Sequence, residues 1–137
     1  MSKLYNKVNL YARVRTGSDK LLAITTEYRK GILFVRLEGS LINSTISLLN
    51  NELNEWLGAG INNVVFNLQE LDTIDALGIQ SFFNYYQMIN GINGHSLICG
   101  INQKLNNCFR STEILNYIYE ISDELSAIKV MKWRSWS

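Results

Sequence analysis

The side chains that could do chemistry in this chain are few, and their spacing decides what they could do together. Asp72 and Asp75 stand three residues apart in LDTIDALG, the single histidine is His95, the cysteines are Cys99 and Cys108, and Gly58 and Gly60 bracket Ala59. Two carboxylates at that spacing could divide the roles of general acid and general base. At a strand-to-helix turn, however, an aspartate satisfies the free amides of the first helical turn, so Asp75 reads better as an N-cap. His95 follows a glycine turn at the start of a predicted strand, where a solvated or turn-bonded imidazole fits better than a base. Cys99, between Ile98 and Gly100, reads as a small buried hydrophobe and has no metal-ligand spacing to Cys108. Gly58-Ala59-Gly60 lacks the third glycine and the preceding strand of a dinucleotide loop and reads as a helix stop. Asn43-Ser44-Thr45 matches a glycosylation acceptor, a motif without meaning in a cytosolic chain. No nucleophile with a base, metal set or phosphate cradle remains. The expectation is a protein with no catalytic residue, no metal and no cofactor.

The elements that must position these residues follow from length and pattern. A chain of 137 residues, 47% hydrophobic, suits one domain with a core of its own. Two cysteines are too few for a disulfide framework, no secretory leader is apparent, and no apolar run approaches the roughly 20 residues of a membrane helix. A cytoplasmic address is the default expectation. The formal net charge of +1 gives no support to nucleic-acid binding or membrane insertion. Its distribution is uneven, since residues 37–103 contain no Lys or Arg but hold Glu38, Glu52, Glu55, Glu70, Asp72 and Asp75. That window is either a solvated acidic face or a docking face for a basic partner.

Residues 1–21 are polar and basic, with Val8, Leu10, Ala12 and Val14 alternating, which fits an edge strand or a flexible arm. Residues 22–137 form the expected domain. It starts with two strands around Arg29-Lys30-Gly31, in which Ile32, Phe34, Arg36 and Glu38 alternate against Leu33, Val35 and Leu37. A helix capped from Asn43-Ser44-Thr45 carries Ile46, Leu49, Leu53 and Trp56 on one face. Residues 63–68 have the continuous apolar character of a central strand, and a second helix from Gly78 carries Ile79, Phe82, Phe83, Tyr86 and Ile89. A strand over 95–101, a short helix over 103–110, a strand over 117–121 and a closing helix over 123–132 capped by Ser122 complete the series. For the tail MKWRSWS, an amphipathic end over the core fits better than a membrane anchor. Alternation of strands and helices predicts an α/β sandwich with a mixed sheet.

The stretch NNVVFNLQELDTIDALGIQSFFNYYQMINGINGHSLICGIN resembles the central segment of STAS domains, the fold of bacterial anti-sigma-factor antagonists. LFVRLEGSL resembles the family's opening strand with its Gly-x-Leu ending, and residues 103–121 resemble its third helix and last strand, so the likeness covers about 24–132. The resemblance implies a mixed β-sheet of four to five strands faced by about four helices, no catalysis, and a binding role. In the antagonist branch a partner kinase phosphorylates a serine in Asp-Ser-Ser-Gly. Here that motif is Asp75-Ala76-Leu77-Gly78, with Leu77 at the phosphoacceptor position. Ile42 likewise replaces the acidic residue of the usual Gly-x-Leu-Asp.

The resemblance thus implies a partner-binding edge made of Asp75, Ala76, Leu77, Gly78 and Gln80 with Ile42, Asn43 and Ser44, and no phosphorylation at the family position. Leu77 is either an apolar contact for the partner or an insert into the domain's own core. Thr73, at the strand exit, and Ser81, a turn into the helix, do not reproduce the geometry of the missing serine. The implied partner is a protein, an anti-sigma factor or kinase, or alternatively a transporter ATPase or signalling complex that holds the chain as an accessory or scaffold subunit. A homo-oligomer is compatible with the same surface. A pocket invisible in the sequence would leave a ligand-binding or enzymatic role open.

Overall fold

The computed structural model describes residues 11–14 and 22–134, and its organisation starts from the turn at Lys30-Gly31. These two residues have φ of 57° and 80°, the left-handed pair that closes a two-residue hairpin with the twist of its strands. The turn joins β2 (Leu22–Arg29) to β3 (Ile32–Leu41) in antiparallel register, Arg29 opposite Ile32 and Leu22 opposite Gly39. From β3 the chain advances by crossovers: α1 (Ile46–Gly58), β4 (Asn63–Ile74), α2 (Ala76–Gly91), β5 (His95–Cys99), α3 (Gln103–Arg110), a 3-10 turn (Ile114–Asn116), β6 (Tyr119–Ile121) and α4 (Glu124–Arg134). Strands β3 to β6 pair in parallel. On the other side of the hairpin, β1 (Tyr11–Val14) pairs antiparallel with β2. Among the described residues the sheet therefore has six strands in chain order, β1-β2-β3-β4-β5-β6.

Strand periodicity sorts the side chains onto two faces, and parallel crossovers of one hand put successive helices on the same side. Leu33, Val35 and Leu37 of β3, with Val64, Phe66 and Leu68 of β4, pack under α1, α2 and α3 in the main core. Phe66 is its centre, edge-on to Phe82 at 5.1 Å and stacked on Tyr85 at 5.8 Å. Fully burying a side chain of this size contributes about 1.5–3 kcal/mol. The alternate residues Ile32, Phe34, Val65, Leu97 and Cys99 form a smaller cluster covered by Ala127 and Met131 of α4. Burial there, with the nearby Glu124 and Asp123 carboxylates, pushes the Cys99 thiol up to about 12.

A polar clasp joins α4 to this second face. Arg36, next in the alternation after Phe34, donates from Nε and Nη2 to the two oxygens of Glu124, 2.8 Å each, and from Nη2 to Glu27 at 2.7 Å. Asn67, opposite Arg36 in the parallel register, donates to Glu124 at 2.8 Å. The bidentate contact holds the Arg36 charge firmly, and the same guanidinium, followed by Asn67, lowers the Glu124 carboxyl below its ordinary range.

The mixed α/β class and the hairpin turn agree with the sequence reading, and five strands lie in residues 22–134, with β1 the sixth. Several boundaries differ. The central strand runs on to Ile74 rather than stopping at Leu68, because the end of β3 continues to pair with it beyond β5. The second helix starts at Ala76, before Gly78. Tyr117 follows the 3-10 turn and the last strand begins at Tyr119. Asp123, not Ser122, caps α4, accepting from Ser126 N at 2.7 Å. Val8, Leu10 and residues 135–137 of the tail lie outside the described residues.

Candidate functional site

The ends of β3 and β4 project past the last residue of β5, and the start of α2 is built on that projection. Two irregularities in the parallel register, between Arg36 and Glu38 and between Gly39 and Ser40, let β4 keep pace with β3 until Leu41 faces Ile74. The chain then turns at Asp75. Its extended backbone leaves the carboxylate over the first turn of α2, where Oδ1 accepts from Gly78 N at 2.8 Å and caps the helix. Oδ2 accepts from Asn43 N at 3.0 Å. One side chain thereby ties α2 to the loop after β3, across 32 residues of sequence.

That loop is organised by Thr45. Its hydroxyl donates to Ser40 O at 2.7 Å and accepts from Ile42 N at 3.0 Å, so it fixes the loop instead of capping α1. Gly78 lets α2 lie close against the projection, since a Cβ there would come within 2.6 Å of Ile74 Cγ1 and would also meet Leu41 O. On the far side, the Asn102 amide donates to Leu71 O at 2.8 Å and to Gln69 O at 3.2 Å, serving carbonyls of β4 that lie beyond the end of β5, while its oxygen caps α3.

The structure brings the expected edge residues together, but on two flanks. Leu77 is 49% exposed and is no core insert. Asn43 and Ser44 are exposed and Ile42 is half-buried. With about 100° per residue, Leu77, Asn84 and Met88 share one flank of α2, Ala76, Ile79 and Phe83 turn away from it, and Gln80 lies in between. Gly78 is buried between them, and Asp75 is half-buried at the apex. Thr73 is exposed in β4, and Ser81 is buried with its hydroxyl donating to Gly78 O, so both hold the places the sequence assigned them.

The flank of Ala76 and Phe83 opens onto a cleft of about 580 Å³ between α2 and the segment from α3 to the 3-10 turn. Ile74, Ile79, Phe83, Ile114 and Tyr117 make its apolar wall, and Tyr117 packs edge-on against Phe83 at 4.9 Å. Sequence reasoning missed this cleft. Phe83 and Tyr117 are 34 positions apart, and placing Tyr117 in a strand hid its role beside the helix; a tyrosine just outside a three-residue strand was the available signal.

The charge pattern of the site is one-sided. Residues 76–103 contain no Asp, Glu, Lys or Arg, so the exposed surface of α2 is uncharged throughout. The nearby cations are engaged, Lys104 with Asp72 at 2.9 Å and Arg110 with Glu120 at 2.8 Å. Among the described residues no group of three His, Cys, Asp or Glu side chains could hold a metal ion, and no helix is long and apolar enough to cross a membrane. Among the described residues the site thus consists of an uncharged helix surface beside an aromatic cleft.

Comparison with known proteins finds similarity in sequence and in fold. The anti-sigma F factor antagonist of Paenibacillus polymyxa is 23% identical over 108 residues, which span 78% of this chain and 92% of that protein. An anti-sigma factor antagonist from Mycobacterium paratuberculosis superimposes with a TM-score of 0.73 at 12% identity, covering 81% of this chain and 94% of the other. A sulfate transporter family protein from Wolinella succinogenes does so with a TM-score of 0.68 at 11% identity, covering 79% and 90%. At these identities the two structures share the fold. The STAS domain pattern itself matches residues 23–128, which takes in every element from β2 to the middle of α4, and the chain belongs to the STAS domain family.

Proposed function

We propose that this chain is a non-catalytic regulatory STAS protein that docks to a protein partner, an anti-sigma factor or its kinase, through the start of α2, without a phosphoserine switch at the family position. The observation that carries this reading is Leu77. It stands half-exposed at an aspartate-capped helix start, the position at which the resemblance to the Asp-Ser-Ser-Gly motif places a serine. A phosphate there would add about −1.5 to −2 charges beside the free amides of the first turn. Leucine accepts no phosphate. Covering its open half contributes up to about 1.5 kcal/mol, roughly a tenfold gain in affinity. The surface is then permanently competent, and regulation falls to the abundance or state of the partner. The likeness to an anti-sigma F factor antagonist supports this class of partner.

A second reading, a subunit held permanently by a transporter ATPase or a signalling scaffold, is favoured by the uncharged surface of α2, since charge depletion marks the cores of lasting interfaces. The test has two arms. Incubation with candidate anti-sigma kinases and ATP, read by intact mass, is expected to leave the protein unmodified, and stoichiometric phosphate anywhere in 72–81 would end the switch-free reading. Leu77→Asp is expected to weaken partner binding at least tenfold in calorimetry with cooperative unfolding unchanged; undiminished binding would remove Leu77 from the interface. Co-purification from the source cell with a transporter ATPase in place of a histidine-kinase-like protein would select the second reading.

A further inference from the structure

The cleft beside α2 lies on the flank away from Leu77 and has a distinctive lining. Its wall is apolar and aromatic, with Tyr117 40% exposed and backed by both Phe83 at 4.9 Å and Tyr86 at 5.6 Å. A large apolar side chain could enter it, since about 580 Å³ exceeds what a single leucine or phenylalanine fills. The charged groups lining the cleft are Asp75 and Glu113. Among the described residues no lysine or arginine lines it, and Lys104 and Arg110 of α3 are paired with Asp72 and Glu120. The Asp75 carboxylate accepts from two backbone amides, those of Gly78 and Asn43, and Glu113, also in the lining, is exposed. Two acidic side chains in the lining attract a cation entering the cleft.

We propose that this cleft seats a segment of the protein partner that presents a bulky apolar side chain next to a lysine or arginine. The inference rests on the docking reading and adds to it the chemistry of the docked segment. The apolar anchor supplies the contact energy, and the basic neighbour selects the segment and orients it between Asp75 and Glu113. Aromatic anchors suit this wall, because Phe83 and Tyr117 are aromatic and Tyr117 is 40% exposed.

The experiment uses the full chain immobilised against a phage-displayed library of random dodecapeptides, followed by fluorescence polarisation of the enriched peptides. Enriched sequences are expected to pair Trp, Phe or Leu with an adjacent Lys or Arg. Ser111→Trp, an exposed position that fills the cleft, is expected to weaken these peptides at least tenfold. Glu113→Lys is expected to weaken them severalfold, by a factor that shrinks as salt is raised. Met88→Ala, an uncharged change on the other flank, leaves them unchanged. Absence of enrichment, enrichment of neutral or acidic peptides, or binding that survives Ser111→Trp would each overturn the proposal. So would displacement of nothing but small cationic amphiphiles, which would reassign the cleft to a free ligand. If the cellular partner is lost by Leu77→Asp yet binds Ser111→Trp and Glu113→Lys normally, the docking reading stands and the cleft proposal falls.

Discussion

Gly78 shows how closely a single position is constrained. The residue is buried where α2 crosses the ends of β3 and β4, and a methyl group there would overlap Ile74 and the carbonyl of Leu41. The backbone cannot retreat without breaking the Asp75 cap, whose acceptor reaches Gly78 N. Gly78→Ala is therefore expected to destabilise the protein by about 1–3 kcal/mol in urea unfolding. Gly58→Ala is the control, because its Cβ would enter open space at the end of α1, and it is expected to be neutral or slightly stabilising, by about 0.5 kcal/mol. The cap itself was legible in the sequence: an aspartate between a strand and a helical pattern has one natural use. Its second bond was not, because Asn43 becomes a neighbour only when two parallel strands end together.

At the scale of elements, the projecting end of β4 depends on a residue outside it. Beyond Cys99 there is no further β5 to pair with, and Asn102 takes over by donating to backbone carbonyls of β4 while capping α3. Asn102→Asp keeps the cap acceptor, removes the donor and sets a carboxylate against those carbonyls. It is expected to cost about 1–3 kcal/mol, measured by equilibrium unfolding, and more than Asn102→Ala if the repulsion dominates. Helix α1 was readable from its apolar spacing, although the expected polar cap does not form, and residues 103–110 of α3 match to the residue. The extra length of β4 was not readable, because residues 69, 70, 72 and 73 are polar and exposed, and only pairing to β3 makes them strand. The cleft was hidden for a related reason: its two walls come from elements whose contact the pattern of either does not specify.

For the whole molecule, the clasp between Arg36 and Glu124 decides how firmly α4 covers the smaller cluster. The folded state holds Glu124 at a lowered pKa, so its stabilisation is fully present above the ordinary glutamate range and is lost as pH falls through the folded value. Glu124→Gln is expected to cost about 1–2 kcal/mol at pH 7, and the difference from the unsubstituted protein is expected to close as unfolding is measured toward pH 3. The same substitution reports through thiols: Cys108 is exposed and reacts, whereas Cys99 is buried near the clasp and is expected to label faster once the clasp is weakened. The order of the sheet carries a wider meaning. Because every strand lies beside its neighbours along the chain, a polypeptide leaving the ribosome can add one strand at a time to a growing border, starting from the tight hairpin at Lys30-Gly31. Assembly then needs no rearrangement of strands already in place, and the last helix closes the exposed side only after the border is finished.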